Sequence, residues 1–460
     1  MLFNSLKFLF LFFPATYFVF WRLRRKNQRY IWLTIASYVF YGAWNYKFCA
    51  LMAFSTVISF LSGLAMAEHD KKSRKKLYLV VPIAIDLLLL GYFKYANFGL
   101  HSIASLANWF HWPLQVDFVD VILPVGISFY TFHTITYIVD CYRGVVQPTR
   151  NLFEFACYVS LFPQLVAGPI VRFRQIEADL EHIDGNEQSL NRAWSFFVIG
   201  MIKKVLVAGT IAAVIDPALA RYDLLSTAGA WLCIVGYTYQ LYFDFSGYSD
   251  MAVGLGYMFG LRLPQNFNSP YKATDIADFW RRWHISLSSC LRDYLYIPMG
   301  GGREGVWKTN RNLLITMLLG GLWHGANWTF VLWGGYHGIL LALNRRFSEF
   351  WARIHVAARR VTTFLVVAVG WVLFRSSSLT MAGSLFSRMF HYQRGGLMPG
   401  WIGLASILVV ATALVNFAPN TFEISHEWRP AWSGVLAAGY ILCLIVIAGA
   451  KTSPFLYFQF

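Results

Sequence analysis

An all-α, polytopic integral membrane protein is the fold class this sequence predicts, and three observations carry the prediction. Hydrophobic residues fill 57% of the 460 positions and charged residues only 13%, about half the charged share of a soluble domain. The apolar residues gather into runs long enough to cross a bilayer as helices. Basic residues fall in alternate loops between those runs, as positive-inside topology requires.

The first apolar run spans 5–21. Lys7 stands near its start, whereas Arg22, Arg24, Arg25, Lys26 and Arg29 follow it. That order is the reverse of a cleavable signal peptide's. It predicts a retained first helix whose N-terminus lies outside, on the side away from the cytoplasm. Further runs lie near 31–48, 50–67, 77–98 and 121–139. The loop holding Lys71, Lys72, Arg74, Lys75 and Lys76 comes two crossings after the first basic loop. The 99–120 loop has neither Lys nor Arg, and Arg143 and Arg150 follow the fifth run. One topology, with the basic loops cytoplasmic, accounts for all of this.

Beyond residue 150 the pattern loosens. The apolar stretch 152–170 is broken by Pro163, Gly168 and Pro169 and reads as re-entrant. The mixed-charge stretch 171–192 reads as aqueous. The 194–215 run holds Lys203 and Lys204, which read as lysines snorkelling at an interface. The 228–260 run holds Asp244 and Asp250, and 262–311 is polar with short apolar pieces. Then come the run Leu313–Trp333, a basic loop from Arg345 to Arg360, and runs near 361–375, 401–416 and 433–450. The expectation is one integral membrane domain over residues 1–460, with about ten to twelve helices, some of them partial.

The net charge of +16 is accounted for by topogenic loops, so no nucleic-acid partner is expected. The six cysteines (Cys49, Cys141, Cys157, Cys233, Cys290 and Cys443) form no CxxC pair. They read as small buried residues.

His324 is the position that points to chemistry. As one helix, Leu313–Trp333 would carry it about 16 Å into a hydrocarbon core roughly 30 Å thick. An ionisable group there is costly and marks a functional site. Helical side chains lean over the i−3 and i−4 positions, here Gly321 and Gly320, and Gly325 follows. This leaves a gap that a substrate could enter. The competing structural reading is a tight helix crossing made by the glycines.

Three other constellations stand out. Asp278-Phe-Trp-Arg281-Arg282-Trp-His284 continues into an amphipathic segment at a membrane surface or cavity wall. Its adjacent arginines could also meet a phosphate-bearing ligand. Gly300-Gly-Gly302-Arg303 is a Gly-rich turn with cations nearby, without the spacing of a P-loop. Asp244 and Asp250 could pair with the arginines and hold a cavity open. There is no GxSxG, HExxH, Walker A or paired CxxC. His284 and His324 lie 40 residues apart with no third ligand, so no metal site is expected. Two histidines among small and aromatic residues suffice for acyl transfer. A neutral imidazole takes the proton of an attacking hydroxyl and returns it to the departing thiolate.

The chain closely resembles the membrane-bound O-acyltransferase family, and within it the bacterial alginate O-acetylation type. The matching segments are Gly91-Tyr-Phe-Lys-Tyr-Ala-Asn-Phe98, Leu123-Pro-Val-Gly-Ile-Ser-Phe-Tyr-Thr-Phe132, Gln240-Leu-Tyr-Phe-Asp-Phe-Ser-Gly-Tyr-Ser-Asp-Met251, Asp278-Phe-Trp-Arg-Arg-Trp-His-Ile-Ser-Leu-Ser288, Leu318-Leu-Gly-Gly-Leu-Trp-His-Gly-Ala-Asn327 and Pro454-Phe-Leu-Tyr-Phe-Gln-Phe460. The resemblance implies a ring of tilted helices around a central tunnel. It implies His324 as the catalytic histidine and His284 as the second tunnel residue. Arg281, Arg282 and Arg303 become candidates for the donor phosphates, and Asp244, Asp250 and Asn327 for support. The task it implies is to take acetyl from a cytoplasmic donor, expected to be acetyl-CoA, and pass it across the bacterial inner membrane. A periplasmic acetyltransferase partner and the export machinery would complete transfer to a polysaccharide such as alginate. Acetylated cellulose, other exopolysaccharides and peptidoglycan remain open as acceptors. Two alternatives differ in kind: D-alanyl transfer to teichoic acid by a related acyltransferase, and a transporter or flippase without chemistry. The latter would be expected to carry inverted repeats with broken helices.

Overall fold

The computed structural model describes residues 1–112, 114, 116–119, 121–183, 187–394 and 400–449. Every regular element among them is helical. Among the described residues, five helical segments are long and apolar enough to cross a membrane: Lys47–Glu68, Lys72–Trp109, Ser189–Leu219, Val356–Arg375 and Pro430–Gly449. The protein is therefore an all-α, multi-pass membrane protein. The motif at 454–460 lies outside the described residues.

The chain divides into two compact units, 1–194 with 252–264, and 195–251 with 265–460. In the first unit, Lys26–Asn45 packs on Leu152–Ser160, and Lys47–Glu68 packs on both Lys72–Leu90 and Ile127–Tyr142. A buried carboxylate ties three of these helices together. Asp86 accepts hydrogen bonds from Ser55 at 2.6 Å and Thr134 at 2.7 Å. The stretch 152–170 folds as Leu152–Ser160 and the short Phe162–Leu165, and protein covers the break at Leu161. This is the covered, broken backbone that the prolines predict.

One expected boundary needs correction here. The 77–98 run does not end near Phe98. It passes through a π-helical turn at Gly91–Tyr95 and continues as Ala96–Trp109, where no proline intervenes and Leu100, Ile103 and Leu106 keep a helical spacing. The mixed-charge stretch 171–192 is partly helical. Phe173–Glu181 is a helix that buries Phe173, Ile176 and Leu180. Its Asp179 is also buried, receiving the Arg262 guanidinium and the Arg262 backbone N–H, the latter at 2.8 Å.

The second unit is organised around close helix crossings at glycine. Gly200 and Gly247 face each other, and a Cβ on Gly247 would stand 2.6 Å from the Gly200 carbonyl oxygen. Lys203 and Lys204 follow in a π-helical turn, Ile202–Ala208. Both lysines turn inward rather than snorkelling. Lys203 meets Asp250 at 2.6 Å, and Lys204 pairs with Asp244. Two carboxylates on Thr227–Met258 supply the countercharge that makes burial of a lysine tolerable.

The Leu313–Trp333 run is not one through-going helix. Val306–His324 ends at His324, and Trp328–Arg346 returns beside it in an antiparallel hairpin. Gly325 adopts an extended conformation, and Asn327 caps the second helix by accepting from Thr329 N at 3.0 Å. Side chains at Gly321 and Gly334 would strike the carbonyl oxygens of Phe330 and Met317. The hairpin can therefore close only with glycine at both positions.

Candidate active site

His324 stands at the hairpin turn, at the C-terminal end of its helix, and is 6% exposed. Aromatic rings enclose it. Trp333 and Phe374 approach edge-on, each at 5.2 Å between centroids, and Trp323 lies at 5.0 Å.

His284 reaches the same place from a different element. Asp275 caps the helix Ile276–Arg282 by accepting from Asp278 N at 2.8 Å, and that helix stops at Trp283. His284 then takes a left-handed conformation, with φ 44° and ψ 53°, and opens the helix Ile285–Leu291. Such a backbone is uncommon for a residue other than glycine. Its cost points to a position held for its side chain. The ring is 0% exposed and lies 6.3 Å from that of His324, 6.0 Å from Trp323 and 4.8 Å from Phe245. Burial holds the His284 imidazole below its ordinary pKa, favouring the neutral form.

A cavity of about 240 Å³ adjoins His324. Its wall includes Leu287, Leu291, Arg292 and Tyr296 from one side, and Leu313 and Gly320 from the His324 helix. The lining along that helix runs from His324 back to Leu313, about 16 Å at 1.5 Å per residue. The cavity is thus mostly apolar and extends along the helix away from the imidazole. The two glycine readings divide between neighbours: Gly321 is the close crossing, and Gly320 leaves open space in the cavity wall.

The remaining candidate residues lie elsewhere. Arg281 and Arg282 both turn to Asp278, at 3.6 Å and 3.0 Å, and Arg281 is 67% exposed. Arg303 is exposed on the glycine turn. That turn is held from below by Asn312, whose amide donates to the Met299 and Gly301 carbonyls at 3.0 Å and 3.1 Å. Among the described residues the cavity wall holds Arg292, and not Arg281, Arg282 or Arg303. Their helix phase and the pairing with Asp278 take the first two away from it. Asp244 and Asp250 engage Lys204 and Lys203. Asn327 caps the hairpin's second helix, and its amide donates to the Ser377 carbonyl at 2.8 Å.

Two buried residues beside the site escape sequence reasoning. Asn266 holds His284 through its side chain, with Oδ1 3.1 Å from Nδ1. It sits 18 positions upstream in a loop, where no periodicity marks it. His337 lies within the same aromatic cluster, 5.0 Å from Trp333 and 5.3 Å from Trp280. Its four-residue spacing from Trp333 was the available signal, since i and i+4 share a helix face. Among the described residues there is no cluster of three or more side chains able to hold a metal ion.

A multi-pass helical membrane protein with one buried histidine in the wall of a mostly apolar cavity, and a second histidine ring 6.3 Å from it, has the parts for group transfer shielded from bulk water. Residues 112–386 match the family described as MBOAT, the membrane-bound O-acyltransferase family. The chain belongs to this family and is an O-acyltransferase. It is 45% identical to a probable alginate O-acetylase of Azotobacter vinelandii, with the whole of both chains covered. It is 39% identical to a probable alginate O-acetylase of Pseudomonas aeruginosa, again over both whole chains. A peptidoglycan O-acetyltransferase of Helicobacter pylori is 37% identical, covering 83% of this chain and 78% of the relative.

Proposed function

We propose that this O-acyltransferase takes acetyl from acetyl-CoA on the cytoplasmic side of a bacterial inner membrane and delivers it outward for O-acetylation of an exported polysaccharide, with alginate the favoured polymer. The observation that carries the reading is the pairing of His324 with the cavity. The cavity is mostly apolar and follows the helix from His324 back to Leu313, which suits an extended thioester arm. Arg292 and Tyr296 in its wall suit the polar end of the donor. The names of the full-length relatives support an acetyl cargo and a polysaccharide acceptor.

In this reading an acceptor hydroxyl attacks the thioester carbonyl beside His324. The imidazole takes the hydroxyl proton as the carbon–oxygen bond forms. The carbon–sulfur bond then breaks, and the imidazolium returns the proton to the thiolate. The products are an O-acetyl ester and free coenzyme A. The aromatic enclosure excludes water, which would otherwise hydrolyse the thioester. That first ester is a relay: a periplasmic acetyltransferase then moves the acetyl group from it to a polymer hydroxyl, which frees the relay hydroxyl. The N-terminus faces the periplasm, as the charge order around the first helix requires.

The test is the O-acetyl content of surface polysaccharide in cells carrying wild type or His324→Ala at matched membrane levels. Loss of acetyl from one polymer is expected and would identify the acceptor. Unchanged acetylation of every exported glycan would overturn the reading.

A further inference from the structure

The side-chain oxygen of Asn266 is a three-way acceptor. It lies 3.2 Å from the Ser286 backbone N, 2.9 Å from Ser286 Oγ and 3.1 Å from His284 Nδ1. A backbone N–H can only donate, so the atom facing this cluster is the amide oxygen and not the amide nitrogen. That oxygen can only accept. His284 Nδ1 must therefore carry the hydrogen that it points at Asn266. A neutral imidazole has one N–H, so His284 Nε2 is left with its lone pair. Nε2 is buried and has no hydrogen-bond partner among the described residues.

The loop carrying Asn266 is itself held in register. Its carbonyl accepts from Ile285 N at 2.9 Å, and Asn268 N donates to the Arg282 carbonyl at 2.9 Å. Asn266 is 1% exposed. These two backbone bonds bracket His284 and its left-handed turn, so the amide cannot drift from the ring without breaking them.

We infer that Asn266 is a positioning residue that fixes the tautomer and ring plane of His284, leaving Nε2 as an unprotonated acceptor in the enclosure shared with His324. This inference rests on the reading that His284 serves the transfer. Once the tautomer is set, His284 can take or relay a proton only through Nε2. The nearby His337 has the opposite assignment. Trp280 Nε1–H, which can only donate, points at His337 Nδ1 at 3.4 Å, so the His337 hydrogen lies on Nε2. One aromatic cluster thus holds two neutral histidines in opposite tautomers, each set by a neighbour with only one hydrogen-bonding role.

The experiment is nitrogen NMR of full-length protein in lipid bilayers with ring-labelled histidine. His284→Gln and His337→Gln identify the two signals by their disappearance. A pyrrole-type Nδ1 and a pyridine-type Nε2 are expected for His284, with the reverse for His337. Asn266→Ala should lose the fixed His284 tautomer, whereas Asn266→Asp, which keeps an acceptor at that point, should retain the hydrogen on Nδ1. Acetyl transfer by Asn266→Ala should fall about tenfold or more, since a base in the wrong tautomer loses most of its effect. A His284 hydrogen found on Nε2 in the wild type, or an unchanged tautomer in Asn266→Ala, would overturn the inference. Failure of the functional reading looks different: His284→Ala would then transfer acetyl normally, whatever the tautomer.

Discussion

The rings of His284 and His324 lie 6.3 Å apart, centroid to centroid, with their planes inclined at 58°. They arrive from elements with unrelated local causes, one from a left-handed turn between two short helices and one from the tip of a helical hairpin. At this separation in a buried site, two imidazolium charges would repel strongly. The pair therefore operates with at most one added proton between them.

Each histidine should then be needed as part of a unit. His324→Ala and His284→Ala are each expected to lower acetyl transfer by roughly 10²–10⁴-fold. The double substitution should be little worse than the more severe single one, because groups acting together are non-additive. Transfer rates in membranes with matched protein levels check this. Multiplicative losses would mean that the two side chains act independently.

Adjacent glycines should fail in different ways. Gly321→Ala drives a methyl group onto the Phe330 carbonyl and should cost about 1–3 kcal/mol of stability. Reduced membrane abundance or thermal stability in detergent is the readout. Gly320→Val points into the cavity, where the nearest atom to a new Cβ is the movable tip of Leu291, at 3.1 Å. It should leave the protein abundant and lower transfer by narrowing the passage.

The charge at the cavity wall separates donor binding from bulk surface charge. Arg292→Ala should raise the KM for acetyl-CoA about tenfold with little change in kcat, as expected for loss of one phosphate contact. Arg281→Ala should change neither by more than about twofold: both arginines are exposed and ion-paired, Arg281 with Asp278 and Arg292 with Asp293 at 2.7 Å, but only Arg292 lines the cavity. Steady-state kinetics on reconstituted protein distinguish them. Equal effects would place the donor elsewhere.

The Lys204–Asp244 pair should behave as a buried pair. Lys204→Met removes the ammonium group from beside the buried Asp244 carboxylate and should destabilise by about 3–5 kcal/mol. Lys204→Met combined with Asp244→Leu should recover most of that loss. Thermal unfolding of the single and double variants in detergent measures the coupling. Additive losses would show that the two charges do not depend on each other.

Much of the helical organisation was legible along the chain. The apolar runs near 50–67, 361–375 and 433–450 correspond to Lys47–Glu68, Val356–Arg375 and Pro430–Gly449. A helix's existence depends on local composition, and these runs carry it. His324 and His284 stood out because ionisable residues in apolar or aromatic surroundings are rare. Side-chain direction was harder to read. Lys203 and Lys204 resemble interfacial lysines in sequence, and only the crossing at Gly200 and Gly247 brings Asp250 and Asp244 within reach.

By itself, the sequence determined that this is a multi-pass helical membrane protein with two histidines to explain, because hydropathy and charge order are local properties. The tertiary structure alone decided that Leu313–Trp333 folds back on itself instead of crossing as one helix. It also decided that Arg292 rather than Arg281 meets the cavity, and that Asn266 holds His284. Each of those outcomes depends on which backbones can approach closely and which donor faces which acceptor. Such relations join residues tens of positions apart and leave no period in the chain.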